Sequence, residues 1–185
     1  MSPRHKPTLG IEHALLGFLR EKPLHGYDMH QQLQAAQALG LVWQIKQAQL
    51  YALLNKLESE GLIAGETVAQ DGRPPKRLLH LTGAGGAAFD TWLRTPVAHG
   101  RDLRIEFLAK LFWAQRASPG HVQQLITIQR ETCRSWLVAV TAEIGDSAAQ
   151  PYAWLVHQFR RGQIEAMLHW LDTCEATLNH VAIMN

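Results

Sequence analysis

The sequence predicts a mainly α-helical protein in which one β-hairpin separates two groups of helices. Three observations support this prediction. Apolar residues recur at helical spacing from residue 10 to residue 60. The period then shortens to that of strands on both sides of a turn rich in Gly, Pro and Asp at 70–75. Helical spacing resumes after Thr82 and continues to about residue 180.

The first three elements read as helices. A helix over 10–20 is stopped by Pro23, because proline lacks a backbone donor and disfavours helix in the residue before it. A second helix spans about 25–39, and a third spans about 44–60. The third helix ends at Gly61, where glycine adopts the left-handed cap conformation at little cost.

The hairpin follows directly. Strand-like segments at 62–68 and 76–81 flank the turn, and Thr82 is placed to cap a fourth helix that ends near Leu93. Residues 95–101 are the best linker candidate. We therefore expect one domain at 1–95 and an all-helical domain at 96–185. The helices predicted in this second domain span about 102–115, Pro119 to Asp146, and Pro151 to about His180. Ser118 is placed to cap the second of them, with proline at its first position.

Composition limits the functional class only weakly. The formal net charge of the 185 residues is +2, and the excess of cations lies in the N-terminal half. The sequence shows no secretory signal and no apolar run of membrane-spanning length. Its two cysteines, Cys133 and Cys174, are too few for a disulfide framework and fit a reducing compartment. We therefore expect a cytoplasmic protein.

The order of elements is typical of a winged helix-turn-helix domain with a two-stranded wing. In such domains the second helix of the pair enters the major groove of DNA, and the hairpin reaches the adjacent backbone or minor groove. Here the recognition helix is the third helix, and no acidic residue occurs between Asp28 and Glu58. The residues predicted to contact bases are Gln44, Lys46, Gln47, Gln49 and Tyr51.

The hairpin carries permanent cations suited to phosphate contacts. Phosphate contacts position a protein on DNA without selecting its sequence. The predicted wing contacts are Arg73, Lys76 and Arg77, and a basic arm at 4–6 is a further candidate. Tyr51 is open to two interpretations, since it either contacts a phosphate or packs under the wing.

The residues between 14 and 93 also resemble the PadR family of transcription regulators. The resemblance rests on His25-Gly26-Tyr27, on the segment from Gln49 to Ile63 that contains Leu-Tyr-Ala-Leu-Leu-Asn-Lys-Leu-Glu, and on Gly72 to Arg77. It implies a cytosolic dimeric repressor with a C-terminal helical dimerisation domain that often responds to a small molecule. The sequence departs from the family pattern at Ala52, where proline is usual, and at Gly83 and Gly86, where charged residues are usual.

Several motifs have a structural interpretation as well as a functional one. His25 and Tyr27 are expected to shape the turn between the first two helices, and Lys56 to lie on a solvated face. The segment 83–88 fits a dinucleotide-binding turn, but the parallel βαβ unit that such a turn needs is not predicted. We favour close packing as the reason for its glycines.

The aromatic residues of the C-terminal half favour a dimer core over a ligand pocket, because aromatic residues are enriched at interfaces. The predicted interface residues are Phe107, Trp154, Phe159, Met167 and Trp170. The sequence has no Cys-x-x-Cys, no His-Glu-x-x-His and no nucleophile paired with a base. We therefore expect no metal, no cofactor and no enzymatic activity.

The leading hypothesis is a homodimeric repressor that binds double-stranded DNA at an inverted repeat. One alternative is a sensor for a small aromatic or phenolic compound whose main output is release of DNA. Another is a helical interaction module that has lost DNA binding.

Overall fold

The computed structural model describes residues 10–35, 37–70, 73–147 and 149–183. It confirms the predicted fold class, a mainly α-helical chain with a winged helix-turn-helix in its N-terminal part. The first elements in chain order are α1 (Ile11–Glu21), β1 (Leu24–His25), α2 (Gly26–Ala35), α3 (Gln37–Val42), α4 (Gln47–Ser59), β2 (Ile63–Gln70) and β3 (Arg73–Leu81). After them come α5 (Gly83–Arg94), a 3-10 helix (Gly100–Arg104), α6 (Glu106–Ala117), α7 (Pro119–Asp146) and α8 (Pro151–Ile183).

The wing is part of an antiparallel sheet in the order β1-β3-β2. Strands β2 and β3 form the predicted hairpin, and Leu24 of β1 pairs with Leu79 of β3. Sequence periodicity did not reveal β1, because two residues are too short to show an alternation. The strand pairing is antiparallel throughout the described residues, so the segment 83–88 does not lie in a parallel βαβ unit.

Two predicted helix boundaries are wrong. The helix expected over 25–39 is two helices, α2 and α3. The recognition helix α4 starts at Gln47 and not at residue 44, because Ile45 is buried and Lys46 is extended with φ −74° and ψ 148°. Gln44 and Lys46 therefore precede the helix that they were expected to begin.

The predicted caps are confirmed by their hydrogen bonds. Gly61 follows α4 with φ 71°, and the Leu62 amide donates to the Leu57 carbonyl oxygen at 2.9 Å, closing a Schellman motif. The Thr82 hydroxyl accepts from the Gly85 amide at 3.0 Å at the start of α5. The Ser118 hydroxyl likewise accepts from the His121 amide at 3.4 Å at the start of α7.

The chain contacts define two compact units. The first comprises the described residues up to Leu93 together with Asp102–Trp113, and the second comprises Arg94–Arg101 and the described residues from Ala114 onward. Most of α6 thus packs with the winged helix, although the predicted second domain began at residue 96. The division into two functional domains at residue 95 stays a prediction.

Aromatic packing fills the core of the first unit. The Trp113 ring is buried and meets Phe18 edge to face, with ring centroids 5.0 Å apart. It also lies so close to Gly17 that an added Cβ would approach its Cε2 to 2.4 Å. Trp113 lies in the C-terminal half of the sequence, but its tertiary contacts place it in this core.

The second unit is built on the antiparallel pair α7 and α8. The Arg130 guanidinium of α7 binds Glu175 of α8 at 2.5 Å. Cys133 and Cys174 are buried, and burial raises the pKa of the Cys174 thiol to about 11. None of the helices in the described part of the chain combines the length and apolar composition that a membrane span requires.

The predicted linker at 95–101 is anchored in the second unit. Val97 is buried, and its amide donates to the side-chain oxygen of Gln129 at 2.8 Å. Gln129 is itself completely buried in α7, so the linker supplies the donor that a buried amide oxygen needs.

Candidate nucleic-acid interface

Helix α4 has one buried face and one exposed polar face. Leu50, Leu54 and Leu57 point into the core at helical spacing. Gln47 and Tyr51 are exposed one turn apart, beside this buried face. The neutral polar groups of this face suit contacts with base edges and phosphates.

The other predicted base-contacting residues have different environments. Gln49 is exposed, but its side-chain oxygen accepts a hydrogen bond from the Lys46 amide at 3.1 Å. Its side-chain oxygen is therefore hydrogen-bonded at the start of the helix. Gln44 and Lys46 are exposed in the segment before α4. The structure thus groups Gln47 and Tyr51 on the helix and leaves Gln44 and Lys46 beside its N-terminus.

Tyr51 packs against the start of α2 and still reaches solvent. A Cβ added to Gly26 would lie 2.9 Å from Tyr51 Cε1, so the tyrosine ring rests on the glycine backbone. The residue remains 40% exposed. The structural interpretation offered for Tyr51 was packing under the wing, and the observed neighbour is Gly26 of α2.

The wing cations are not equivalent. Lys76 is exposed, whereas the Arg77 guanidinium is ion-paired with the Glu58 carboxylate of α4. The same Glu58 oxygen accepts the Gly65 amide of β2 at 3.0 Å. Glu58 therefore ties the recognition helix to both strands of the wing. Sequence spacing did not predict this ion pair, because Glu58 is 19 residues away from Arg77 along the chain.

Some predicted cations have side chains outside the described part of the structure. Arg73 begins β3, but its side chain lies outside the described part of the structure. The basic arm at residues 4–6 lies outside the described residues altogether.

Lys56 does not lie on a solvated face as expected. Its ammonium group binds the Glu12 carboxylate of α1 at 2.9 Å, and Glu12 is only 3% exposed. The hydrogen bond to Glu12 raises the pKa of Lys56, although partial burial acts in the opposite direction. This pair joins the first helix of the unit to the recognition helix.

An open cleft of about 230 Å³ lies between the start of α2, helix α4 and strand β3. Tyr27 and Asn55 line it, and neither was predicted to contact DNA. Tyr27 is 55% exposed, although it was expected only to shape a turn. The neighbouring His25 does have a structural role, since its Nδ1 donates to the Arg77 carbonyl oxygen at 2.8 Å.

Comparison with known proteins agrees with this architecture. Residues 15–91 match the family model of the Transcriptional regulator PadR-like family. Residues 15–91 are therefore similar to the DNA-binding domain region of PadR-like regulators, and they are called the PadR-like domain below. The matched residues run from α1 to α5, so the PadR-like domain contains the recognition helix, the wing and the cleft.

Two curated relatives resemble the same part of the chain. The Bacillus subtilis negative transcriptional regulator PadR is 31% identical over 103 residues, which are 56% of this chain and 56% of that protein. A probable transcriptional regulator of Mycobacterium tuberculosis is 27% identical over 93 residues, which are 50% of this chain and 48% of that protein. The matches thus span about half the length of each relative.

Solved structures of Bacillus subtilis PadR are also similar. The structure in complex with operator DNA shares 24% identity and a TM-score of 0.47, covering 93% of this chain and 99% of that one. The structure in complex with p-coumaric acid shares 22% identity and a TM-score of 0.39, covering 94% and 98%.

The residues predicted to form a dimer interface lie in both units of the chain. Phe107 is completely buried in the first unit, which leaves it no surface for a partner. In the second unit, Trp154 and Phe159 are exposed on α8, and Met167 and Trp170 are half-buried. Exposed apolar residues that the prediction omitted are Val138, Tyr152 and Leu155.

Proposed function

We propose that this PadR-like protein is a sequence-specific DNA-binding transcriptional regulator. The observation that supports this best is the exposed polar face of α4 beside the wing. Glu58 is the only carboxylate in α4, and its charge is balanced by Arg77. Gln47 and Tyr51 thus face solvent without a free carboxylate on their helix to repel phosphates, and Lys76 adds a cation on the wing.

We further propose that it binds as a homodimer to an inverted repeat and acts as a repressor. Support for dimerisation comes from Tyr152, Leu155 and Phe159, which are exposed at helical spacing along α8. A two-fold dimer would present two recognition helices to half-sites about one helical turn apart. Support for repression comes from the Bacillus subtilis relative, which is named a negative transcriptional regulator.

Fluorescence anisotropy with the DNA upstream of the protein's own gene tests the proposal. We expect a saturable complex that survives an excess of unrelated DNA, because specific sites bind about 10³-fold or more tightly than unrelated ones. Failure of a folded sample to bind any DNA at low salt would contradict the proposal. That result would instead support an interaction module that has lost DNA binding.

Replacement of Lys76 tests the assignment of the wing. Lys76→Ala should weaken binding to operator and unrelated DNA alike, and should lower the slope of log Kobs against log salt concentration by about 0.9 for each bound protomer, or about 1.8 for a dimer. The matched control is Arg134→Ala, which removes an exposed cation from α7. An unchanged salt slope for Lys76→Ala would show that this cation does not contact a phosphate.

A small aromatic effector is a second candidate function. In the second unit, Trp136, Trp154 and Trp170 all retain partly exposed side chains. A planar ligand bound beside them would quench their fluorescence. Titration with phenolic acids, followed by the anisotropy assay, should show saturable quenching and release of DNA. This function would be contradicted if the quenching did not saturate and the phenolic acids did not change DNA binding.

A further inference from the structure

The cleft beside the recognition helix is placed where a DNA backbone must pass. A recognition helix enters the major groove and a wing reaches the adjacent minor groove. One sugar-phosphate backbone separates these two grooves, so it runs between α4 and β3. We infer that the cleft seats one backbone phosphate and that Tyr27 donates a hydrogen bond to it. This inference rests on the proposed DNA binding and adds a residue outside the recognition helix and the wing.

The hydrogen bonding of Tyr27 sets the direction of its hydroxyl group. The Gln31 side-chain amide, one turn later in α2, donates to the Tyr27 hydroxyl oxygen at 2.8 Å. This bond uses the oxygen as an acceptor and leaves the hydroxyl proton available to donate elsewhere. A phosphate oxygen only accepts hydrogen bonds, so it is the complementary partner for this donor.

Donors from other elements face the same cleft. Tyr51 of α4 rests on Gly26, the residue before Tyr27, and keeps 40% of its surface exposed. Asn55 follows one turn later on α4, and Lys76 lines the opposite wall on β3. The cleft therefore offers neutral and cationic donors from three elements, which is the composition expected of a phosphate seat.

Two carboxylates also line the cleft, and their effects differ. Glu58 is bound by Arg77 and by the Gly65 amide, so its charge is compensated. Asp28 lies next to Tyr27 in the first turn of α2 and faces the same opening. Its charge should oppose phosphate binding. Asp28→Asn is therefore expected to tighten binding to every DNA sequence a few-fold.

Tyr27→Phe is the decisive variant, because it removes one hydroxyl group from an exposed ring. Binding to operator and to unrelated DNA should both weaken about tenfold for each bound protomer, as expected for one hydrogen bond to a charged group. The salt slope should stay unchanged, since a neutral hydroxyl releases no counterions. The matched control is Ser135→Ala, which removes an exposed hydroxyl from α7 and should leave DNA affinity unchanged.

A neutral methylphosphonate placed at successive positions of the operator identifies the phosphate. At one position in each half-site, the losses caused by the methylphosphonate and by Tyr27→Phe should be non-additive. The inference is overturned if Tyr27→Phe binds as tightly as the parent protein, or if its loss is confined to particular base sequences. A parent protein that binds no DNA at all would overturn the proposed function itself.

Discussion

Arg77 and Lys56 are each paired with a glutamate that is distant in the chain, Arg77 with Glu58 and Lys56 with Glu12. Lys76 stays exposed. The number of cations in a basic segment therefore overstates the number available to DNA.

The Lys56–Glu12 pair should contribute measurably to stability. Lys56→Met leaves the Glu12 carboxylate buried without its cation. We expect a loss of about 2 kcal/mol of unfolding free energy, which is below the value for a fully buried pair because Lys56 is 36% exposed. Urea unfolding at neutral pH measures the loss, and adding Glu12→Gln should recover most of it.

The raised pKa of Lys56 determines the pH above which the Lys56–Glu12 pair stops stabilising the fold. A raised pKa stabilises the fold below the pKa of the unfolded lysine, about 10.4, and the stabilisation is lost as pH rises through the folded value. The difference between the parent protein and Lys56→Met should therefore shrink only at strongly alkaline pH. A constant difference across that range would show that the loss comes from packing.

His13 should make the first unit sensitive to acid. Burial beside Trp92 lowers the pKa of His13 below 6.5, and the two rings stack with centroids 6.1 Å apart. A lowered pKa means that the unfolded chain binds the proton more readily, so stability falls as pH drops below about 6.5. The parent protein should lose more stability than His13→Gln between about pH 7.5 and about pH 5.5.

Urea midpoints at the two pH values measure this effect. The matched control is His169→Gln, because His169 is exposed on α8 and its loss should leave the parental pH dependence intact. Equal acid sensitivity of the parent protein and His13→Gln would assign the effect to other groups.

At the scale of elements, the start of α5 illustrates how a glycine serves packing. A Cβ on Gly85 would lie 1.9 Å from the Leu62 carbonyl oxygen, whereas a Cβ on Gly83 would meet nothing within 4 Å. Both glycines belong to the segment that resembles a dinucleotide-binding turn. The structure assigns Gly85 to the contact between α5 and the start of β2.

Alanine at these two positions should have opposite effects. Gly85→Ala forces α5 away from backbone atoms and should cost about 2 kcal/mol or more of unfolding free energy. Gly83→Ala should stabilise the protein by about 0.5–1 kcal/mol, because alanine is the better helix former. Thermal and urea unfolding of the two variants measure both effects. A much smaller loss of unfolding free energy for Gly85→Ala would mean that α5 can move away from Leu62 at little cost.

At the scale of the whole molecule, the exposed apolar residues of α8 predict self-association. Phe159 is 67% exposed, and Tyr152 and Leu155 share its helix face. Phe159→Glu should shift the protein to monomer in analytical ultracentrifugation, because burying an unpaired carboxylate in an apolar interface is costly. It should also weaken binding to a two-half-site operator far more than binding to a single half-site.

Arg160→Glu is the matched control, since Arg160 is the next residue and is also exposed on a different side of α8. It should leave both the mass and the DNA affinity unchanged. A dimer that persists in Phe159→Glu would place the interface elsewhere, and a parent protein that is monomeric would contradict dimerisation altogether.

The order of elements and the polar residues of α4 can be predicted from the amino-acid sequence. Apolar spacing predicted α1, α4 and the hairpin, and Gly61, Thr82 and Ser118 marked helix ends correctly because capping depends on local backbone chemistry. Gln47 and Tyr51 were predicted as DNA contacts because they are polar and lie in a stretch without acidic residues, and both are exposed.

Which of those side chains remain available to bind DNA depends on the tertiary structure. The pairing of Arg77 with Glu58, the packing of Tyr51 on Gly26 and the burial of Phe107 all join residues that are far apart in the chain. No local pattern encodes such contacts, because they depend on how distant elements pack. The polar face of α4 was therefore readable from sequence, whereas the cleft that places Tyr27 beside it was fixed only by folding.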